Sequence, residues 1–274
     1  MDDNFRIGII GGKGKMGNLF KNLFEKKGYS VIISDINTNL PNTELVKKSK
    51  VVLISVPMEV FSEVVKEIAP FVEDHHWLID ICSLKTEPVK IMKKYFKKGE
   101  ILATHPLFGP YEKNLNGKTI ALCPIRGKNV IKWFKKIMLD EGLNIVKISP
   151  KKHDEIMALV QVINHFWLIL LAKIIKNSKF SLKDIVSLST PSFLRQLHIL
   201  KRFAKQDTNL YARIQLENPL GKKFRNLLCK NCKILNKAFN SEKGEEIFTE
   251  YFVIAKEIAK ELEILLNQAF PDEI

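Results

Sequence analysis

Three polar segments interrupt apolar runs at places where side chains can do chemistry. Cys82-Ser83-Leu84-Lys85 follows a run that ends in Asp80, and Thr104-His105-Pro106-Leu107-Phe108-Gly109-Pro110 follows another. The third pairs Gln161 with His165, one helical turn apart in an otherwise apolar stretch. A lone buried histidine is ordinarily a satisfied core residue. Two histidines, a serine and a lysine at such positions together favour a site, with His105 the candidate for proton transfer. Downstream, Arg195, His198 and Arg202 are spaced by three and four residues and would share one helical face, where Arg202 can grip a carboxylate with two parallel hydrogen bonds. A solvated basic face is the competing reading of that spacing.

A fourth segment concerns phosphate. Phe5 to Ile10 reads as a short apolar strand running into Gly11-Gly12-Lys13-Gly14-Lys15-Met16-Gly17, which contains GxGxxG at Gly12, Gly14 and Gly17 and opens a helix over Lys15 to Lys27. In such a turn Gly12 permits the tight bend, Gly14 lets backbone approach a pyrophosphate, and Gly17 allows close helix-strand packing, with Lys15 and Met16 beginning the helix. Asp35 closes the second strand, Tyr29 to Asp35, where a carboxylate accepts hydrogen bonds from ribose hydroxyls and repels the extra phosphate of NADP. No arginine follows it, so NAD is the expected cofactor. Ser55-Val56-Pro57 ends the third strand, Val51 to Val56, at the carboxyl edge where such ligands bind.

The elements that must carry these residues alternate. Apolar strands recur at Trp77 to Ile81, Ile101 to Thr104, Thr119 to Cys123 and Asn144 to Ile148, separated by amphipathic helices near Glu59 to Ala69, Pro88 to Phe96 and Lys128 to Glu141. Strands without polar alternation imply a parallel sheet covered on both faces. After Pro150 no strand pattern returns. Ile156 to Ile175 is apolar nearly all round, Thr190-Pro191 caps a helix, and two more helices run from about Leu220 and Glu245. The expected fold is therefore α/β: a Rossmann-type doubly wound parallel sheet over residues 1–149, followed by an all-helical substrate and dimerisation domain over 150–274. A helix as apolar as Ile156 to Ile175 needs covering on all sides, which predicts a homodimer. The stripe Ile247, Tyr251, Ile254, Ile258 and Leu265 on the last helix reads as core packing.

Bulk properties narrow the class. The 274 residues are 46% hydrophobic and 27% charged, with 44 Lys+Arg against 30 Asp+Glu. The formal charge of +14 is spread over helix faces, as at Lys47-Lys48 and Lys93-Lys94, and no nucleic-acid-binding pattern accompanies it, so no nucleic-acid partner is expected. Four cysteines give no disulfide framework, and the lone Cys229-Lys-Asn-Cys232 lacks the second pair a zinc site needs, so no metal is expected and a reducing cytoplasm fits. The chain starts almost directly on a strand, leaving no targeting segment in view. Ile156 to Ala172 is interrupted by Gln161, Asn164 and His165 and falls short of the roughly 20 residues of a bilayer span, so it reads as a buried helix with no membrane role.

The sequence resembles the prephenate dehydrogenase family over nearly its whole length. The resemblance lies in GGKGKMG, CSLK, HPLFGP, HDEIMALVQVINHF and LKRFAKQDTNLYARIQLEN. It implies an NAD-dependent oxidative decarboxylation of prephenate to 4-hydroxyphenylpyruvate in tyrosine biosynthesis. It also implies that His105 is the catalytic histidine and that Ser83 binds the substrate hydroxyl. By the same resemblance Arg202 binds the ring carboxylate and His165 is the family's helical histidine; reaching in from the apolar helix, His165 is the expected partner of the pyruvyl carboxylate, with Gln161, Gln206 and Tyr211 at the same substrate site. A neutral imidazole suits the first role, and Lys85 nearby would favour the neutral form. The GGxGxMG form is similar to the dehydrogenase part of enzymes that also carry chorismate mutase, for which too few flanking residues are expected here. Arogenate dehydrogenase is the neighbouring activity, and Asn114 and Asn116 after HPLFGP, in place of an added carboxylate, lean toward prephenate. A non-catalytic NAD-sensing protein is the alternative from another class.

Overall fold

The structure is a computed structural model that describes residues 5–269. The chain divides into two compact units, one ending at Gly221 and the other beginning at Lys222. In the first, β1 (Arg6–Ile10), α1 (Lys15–Lys26), β2 (Ser30–Ser34), α2 (Asn42–Lys47), β3 (Val51–Ile54), α3 (Met58–Ile68), β4 (Trp77–Asp80), α4 (Thr86–Tyr95) and β5 (Glu100–Pro106) alternate as expected. β6 (Thr119–Arg126), α5 (Asn129–Asp140) and β7 (Asn144–Lys147) complete a seven-stranded sheet of order β2-β1-β3-β4-β5-β6-β7.

Two-residue alternation decides why helices cover both faces. In β1 and β3, Ile7, Ile9, Val51 and Leu53 pack with Phe20 and Phe24 of α1 and Phe134 of α5. Ile10, Val52 and Ile54 face the other way, onto Leu45 and Val46 of α2 and Phe61 and Val65 of α3. The order reverses at β1/β3, the crevice where a doubly wound sheet binds its ligand. Two strands depart from the parallel expectation: β6 runs antiparallel to β5, and β7, parallel to β6, shares its direction. The link between β5 and β6 is a loop without a crossover helix, so the chain turns straight back across the carboxyl edge. That places the segment after His105 over the ligand-binding side.

Beyond β7 the unit is helical. α6 (Pro150–Met157) is capped by Ser149, whose side chain accepts from the Lys152 N–H. It passes into a π-helical turn (Ala158–Ile163) and then α7 (Asn164–Ser178). Side chains from the following segment meet carbonyls along this distorted stretch: Gln215 Nε2 donates to Val162 O at 2.8 Å and Asn218 Nδ2 to Asp154 O at 2.8 Å. The helix is therefore one continuous rod from Pro150 to Ser178, longer than expected and long and apolar enough to cross a membrane by length and composition alone. Nor is it buried: Leu168 and Leu171 are covered, while Trp167, Leu170 and Ile174 remain 43%, 39% and 58% exposed. A single chain covers only one side of an all-round apolar helix.

α8 (Leu182–Ser187), α9 (Pro191–Lys201), a 3-10 turn (Arg202–Lys205) and α10 (Thr208–Glu217) follow. α2, α8 and α10 were not anticipated. α2 and α8 are six-residue helices, too short to display a helical period, and α10 starts from an Asp207 cap inside a polar stretch. The 3-10 turn also corrects the shared face of Arg195, His198 and Arg202, because α9 ends at Lys201 and Arg202 belongs to the tighter turn. In the second unit, α11 (Gly221–Ala238) and α12 (Gly244–Ala269) are joined by a short turn, and Tyr251 donates to Asn231 Oδ1 at 3.1 Å. The α12 stripe is not core: Ile254, Ile258 and Leu265 are 60%, 52% and 58% exposed.

Candidate active site

The glycine turn is shaped by its backbone. Gly11 adopts φ +78°, and a Cβ there would stand 2.2 Å from Ser55 O, so the left-handed bend falls on Gly11 and not on Gly12 as expected. Gly12 instead gives way to Ile33 of β2, and a Cβ on Gly17 would meet Gly11 O at 2.2 Å. Gly14 ends the turn in an extended conformation, and no side chain caps α1, leaving its first N–H groups open to an anion. Asp35 stands across from this opening, its carboxylate fixed by the Lys13 N–H at 2.9 Å and the Ile36 N–H at 2.8 Å. These residues fit a dinucleotide pyrophosphate and ribose.

A cavity of about 560 Å³ opens from the turn, lined by Gly14, Lys15, Met16, Ser55, Val56 and Pro57, and equally by Ser83, Tyr111, Lys205 and Gln206. Residues expected on the cofactor and on the substrate thus border one space of ordinary ligand size. Tyr111 borders this cavity, donating to Lys205 O at 3.3 Å, with the ammonium groups of Lys15 and Lys205 5.2 and 5.7 Å from its ring centre.

Behind Ser83 the chain buries charge. Lys85 and Asp80 are both fully buried and paired; the lysine also donates to Thr104 O at 2.5 Å, while Thr104 Oγ1 donates to Asp80 O at 2.7 Å. His105, at the end of β5, places Nδ1 2.9 Å from His153 Nε2, and His153 Nδ1 lies 2.8 Å from Asp154 Oδ1. The Asp154 carboxylate also accepts the N–H groups of Lys85 (2.9 Å) and Thr86 (2.8 Å). Burial pushes the Asp154 carboxyl up, but the bonds from His153, Thr86 and Lys85 outweigh it and hold its pKa below the ordinary value. Burial first, then electrostatic repulsion from His153 and Lys85, keeps His105 well below the usual imidazole range, hence neutral at pH 7. Burial likewise raises Cys82, and Cys123 to about 12, so neither is a nucleophile.

A second cluster forms on α7. The His165 ring stacks on Tyr211 at 4.3 Å between centroids, with Phe203 edge-on to both. Burial, then the positive charge of Arg202, lowers His165 to about 4. Burial raises Tyr211 against the same charge. His165 Nδ1 and Gln161 Oε1 are buried without a hydrogen-bond partner. Buried polar atoms left unpaired are costly, so both atoms are free to take a hydrogen bond from a polar ligand.

Residues 23–147 match the nucleotide-binding domain of prephenate dehydrogenase, and residues 149–253 match its dimerization domain. The chain belongs to the prephenate dehydrogenase family. It is 33% identical to a probable arogenate/prephenate dehydrogenase of Methanocaldococcus jannaschii, covering 94% of this chain and 61% of the relative, and 31% identical to a T-protein of Enterobacter agglomerans, covering 75% and 55%. The chain thus spans little more than half the length of these two relatives. In fold it is similar to prephenate dehydrogenase from Aquifex aeolicus, with a TM-score of 0.72 at 23% identity over 93% of this chain and 99% of that one. A second crystal structure of the Aquifex enzyme, in complex with hydroxyphenyl propionate and NAD+, gives 0.69 at 22% identity over 93% and 98%.

Set against this prephenate dehydrogenase family, the expected residues fall into three groups. Gly14, Lys15, Met16, Ser55, Val56, Pro57, Ser83 and Gln206 border the cavity; His105 joins the buried charge cluster; Gln161, His165, Arg202 and Tyr211 gather on and beside α7. Asn114 and Asn116 do not border the cavity. The Asn116 N–H donates to Asn114 Oδ1 in a turn at Gly142, which removes their bearing on substrate choice. His153, Asp154 and Asn218 were given no role from the sequence, and Asp80 only marked the end of a strand. The available signal was the adjacent His153-Asp154 pair one strand-to-helix step after β7, quoted within a matching motif and given no role of its own.

Proposed function

We propose that this protein is an NAD-dependent prephenate dehydrogenase, converting prephenate to 4-hydroxyphenylpyruvate and carbon dioxide in tyrosine biosynthesis. The observation that carries the reading is the single cavity bordered both by the uncapped start of α1 and by Ser83 and Gln206, with neutral His105 at the end of the adjacent β5. NAD, when bound, supplies the hydride acceptor. Asp35 favours NAD over NADP by charge. His105 takes the proton of the ring hydroxyl as its carbon gives up hydride, and returns it once the ring carboxylate has left as carbon dioxide and the ring has become aromatic. Ser83 fixes the direction of that hydroxyl. Arg202 and His165 receive the carboxylates, with Gln161, Gln206 and Tyr211 beside them.

Prephenate is favoured over arogenate because the carboxylates at the cavity are already engaged. Glu59 pairs with Arg213 at 3.0 Å, and Asp207 accepts from the N–H groups of Asn209 and Leu210. The cations Lys15 and Lys205 favour a dianion. The name of the Methanocaldococcus relative, which couples both activities, keeps arogenate as the second reading. We further propose a border between the nucleotide-binding and helical domains at residues 149/150, a homodimer through the helical part, and a reducing cytoplasm in keeping with the free cysteines. The test is the appearance of reduced cofactor with prephenate, arogenate or no substrate, each with NAD and NADP. Turnover should be fastest with prephenate and NAD, and His105→Asn should bind NAD but lose most of it. Turnover with neither substrate, or a His105→Asn variant as active as the parent, would sink the assignment.

A further inference from the structure

The buried chain Asp154–His153–His105 has a direction. Asp154 Oδ1 and Oδ2 each accept a backbone N–H, from Lys85 and Thr86, so the side chain is a carboxylate that can only accept from His153. His153 therefore carries its proton on Nδ1 and turns a bare Nε2 toward His105, 2.9 Å away. His105 must then donate from Nδ1. Its proton is committed to the protein, and Nε2, for which no hydrogen bond is seen among the described residues, holds the lone pair. From this geometry we infer that His153 and Asp154 are positioning residues: they hold His105 in the Nδ1–H tautomer, aim its ring, and leave Nε2 as the atom that accepts the substrate proton. The inference rests on His105 being the base of the proposed reaction.

The arrangement also handles charge. When Nε2 takes a proton from a hydroxyl, the O–H bond breaks, the N–H bond forms, and His105 becomes an imidazolium whose Nδ1–H still points at the neutral Nε2 of His153. The carboxylate joined to it by hydrogen bonds is Asp154, reached through His153, while Asp80 of β4 is already paired with Lys85. The other ionisable group that acts on His105 is Lys85 itself. The relay thus puts behind the ring a carboxylate that, among the described residues, no lysine or arginine neutralises. All three side chains are nearly solvent-free, with His105, His153 and Asp154 exposed by 3%, 1% and 1%, so water does not compete for these bonds. A lone serine-like contact could orient a hydroxyl; only this chain fixes which nitrogen is basic.

The experiment is long-range proton–nitrogen NMR of protein labelled with 15N-histidine, the His105 signals assigned by their loss in His105→Asn. At neutral pH His105 should show a protonated Nδ1 and a bare Nε2. A proton on Nε2 overturns the inference, and this test requires neither substrate nor a variant of the relay. In kinetics, His153→Gln and Asp154→Asn should each lower kcat about 100-fold while the KM values for prephenate and NAD stay within about three-fold, as expected when a base is left in the wrong tautomer. The Nε2–H form should appear in the Asp154→Asn spectrum. A folded His153→Gln enzyme with parental kcat, or one whose loss lies wholly in KM, also overturns it. If the wild-type protein shows the expected spectrum but oxidises neither prephenate nor arogenate, the proposed function fails and the hydrogen-bond direction stands.

Discussion

Lys85→Met separates what the buried ion pair does for the fold from what it does for the chemistry. Methionine follows the aliphatic stem of lysine closely, so the substitution removes charge with little change of volume. It strips Asp80 Oδ2 of the ammonium, leaving only the Cys82 N–H at 2.9 Å, while Asp80 Oδ1 already lacks a partner. Thr104 O loses its donor as well. Removing one member of a fully buried pair costs about 3–5 kcal/mol, because the other is left as an uncompensated charge. Against a total stability of about 5–15 kcal/mol that is a large fraction. Urea unfolding followed by circular dichroism should show it directly. Asp80→Asn in the Lys85→Met background removes the stranded charge and should restore much of the loss, giving a coupling of about 2 kcal/mol in a double-mutant cycle. The same substitution withdraws a charge that depresses His105, so the acid limb of the rate profile should move to higher pH. A loss below about 1 kcal/mol for Lys85→Met, or strictly additive changes, would show that water or another group compensates Asp80 and that the pair is not what holds this edge of the sheet.

Three further outcomes follow from the geometry. Gly17→Ala sets a Cβ 2.2 Å from backbone oxygen, whereas Gly14→Ala meets the same oxygen at 3.1 Å; Gly17→Ala should therefore lower the melting temperature markedly, and Gly14→Ala should fold but weaken NAD binding, read by calorimetry. Equal thermal stability of the two would refute the packing role of Gly17. His165, held near 4 against an ordinary 6.5, stays neutral in the folded chain, so the unfolded chain binds its proton first as the pH drops. Its contribution is intact above pH 6.5 and is lost as the pH falls from there through 4; His165→Gln should flatten that part of the urea-midpoint profile, and parallel profiles would count against the burial of His165. Arg202→Ala should raise the KM for prephenate about ten-fold or more, the loss expected for a charged hydrogen bond of about 1.5–3 kcal/mol, with a smaller effect on kcat. An unchanged KM would move the carboxylate elsewhere.

The sheet was legible because its physics is local. Continuous apolar strands broken by amphipathic helices leave one arrangement, and a glycine turn between the first strand and helix fixes where the ligand lies. Hydrophobic pattern does not record strand direction, so the antiparallel β6 came only from the missing crossover after Pro106. Ser83 and His105 could be found because each lies at or just beyond the end of an apolar strand. His153 and Asp154 could not, since a polar pair in the first turn of a helix reads as surface until tertiary contact buries it under β5. The 3-10 turn at Arg202 was hidden for a similar reason: three-and-four spacing persists in the sequence whether or not the helix continues. Burial of the apolar helices was misjudged because composition shows that a face must be covered without saying which chain covers it.

That last point yields a prediction of its own. Trp167, Leu170 and Ile174 of α7 are spaced by three and four residues, share one face, and are all substantially exposed. Soluble monomers seldom leave such a row in water, and the family to which this chain belongs carries a dimerization domain over residues 149–253. A second copy is the economical cover, because the same stripe is then buried twice by one symmetric contact. Sedimentation at micromolar concentration should find a dimer, and Ile174→Glu, which brings a carboxylate into that face far along the helix from His165, should shift it toward monomer. Two results separate the alternatives. A wild-type monomer in aqueous buffer would leave the face without its expected partner, and a protein that sediments only with detergent or vesicles would turn the length and apolarity of the Pro150–Ser178 rod into evidence for a lipid surface.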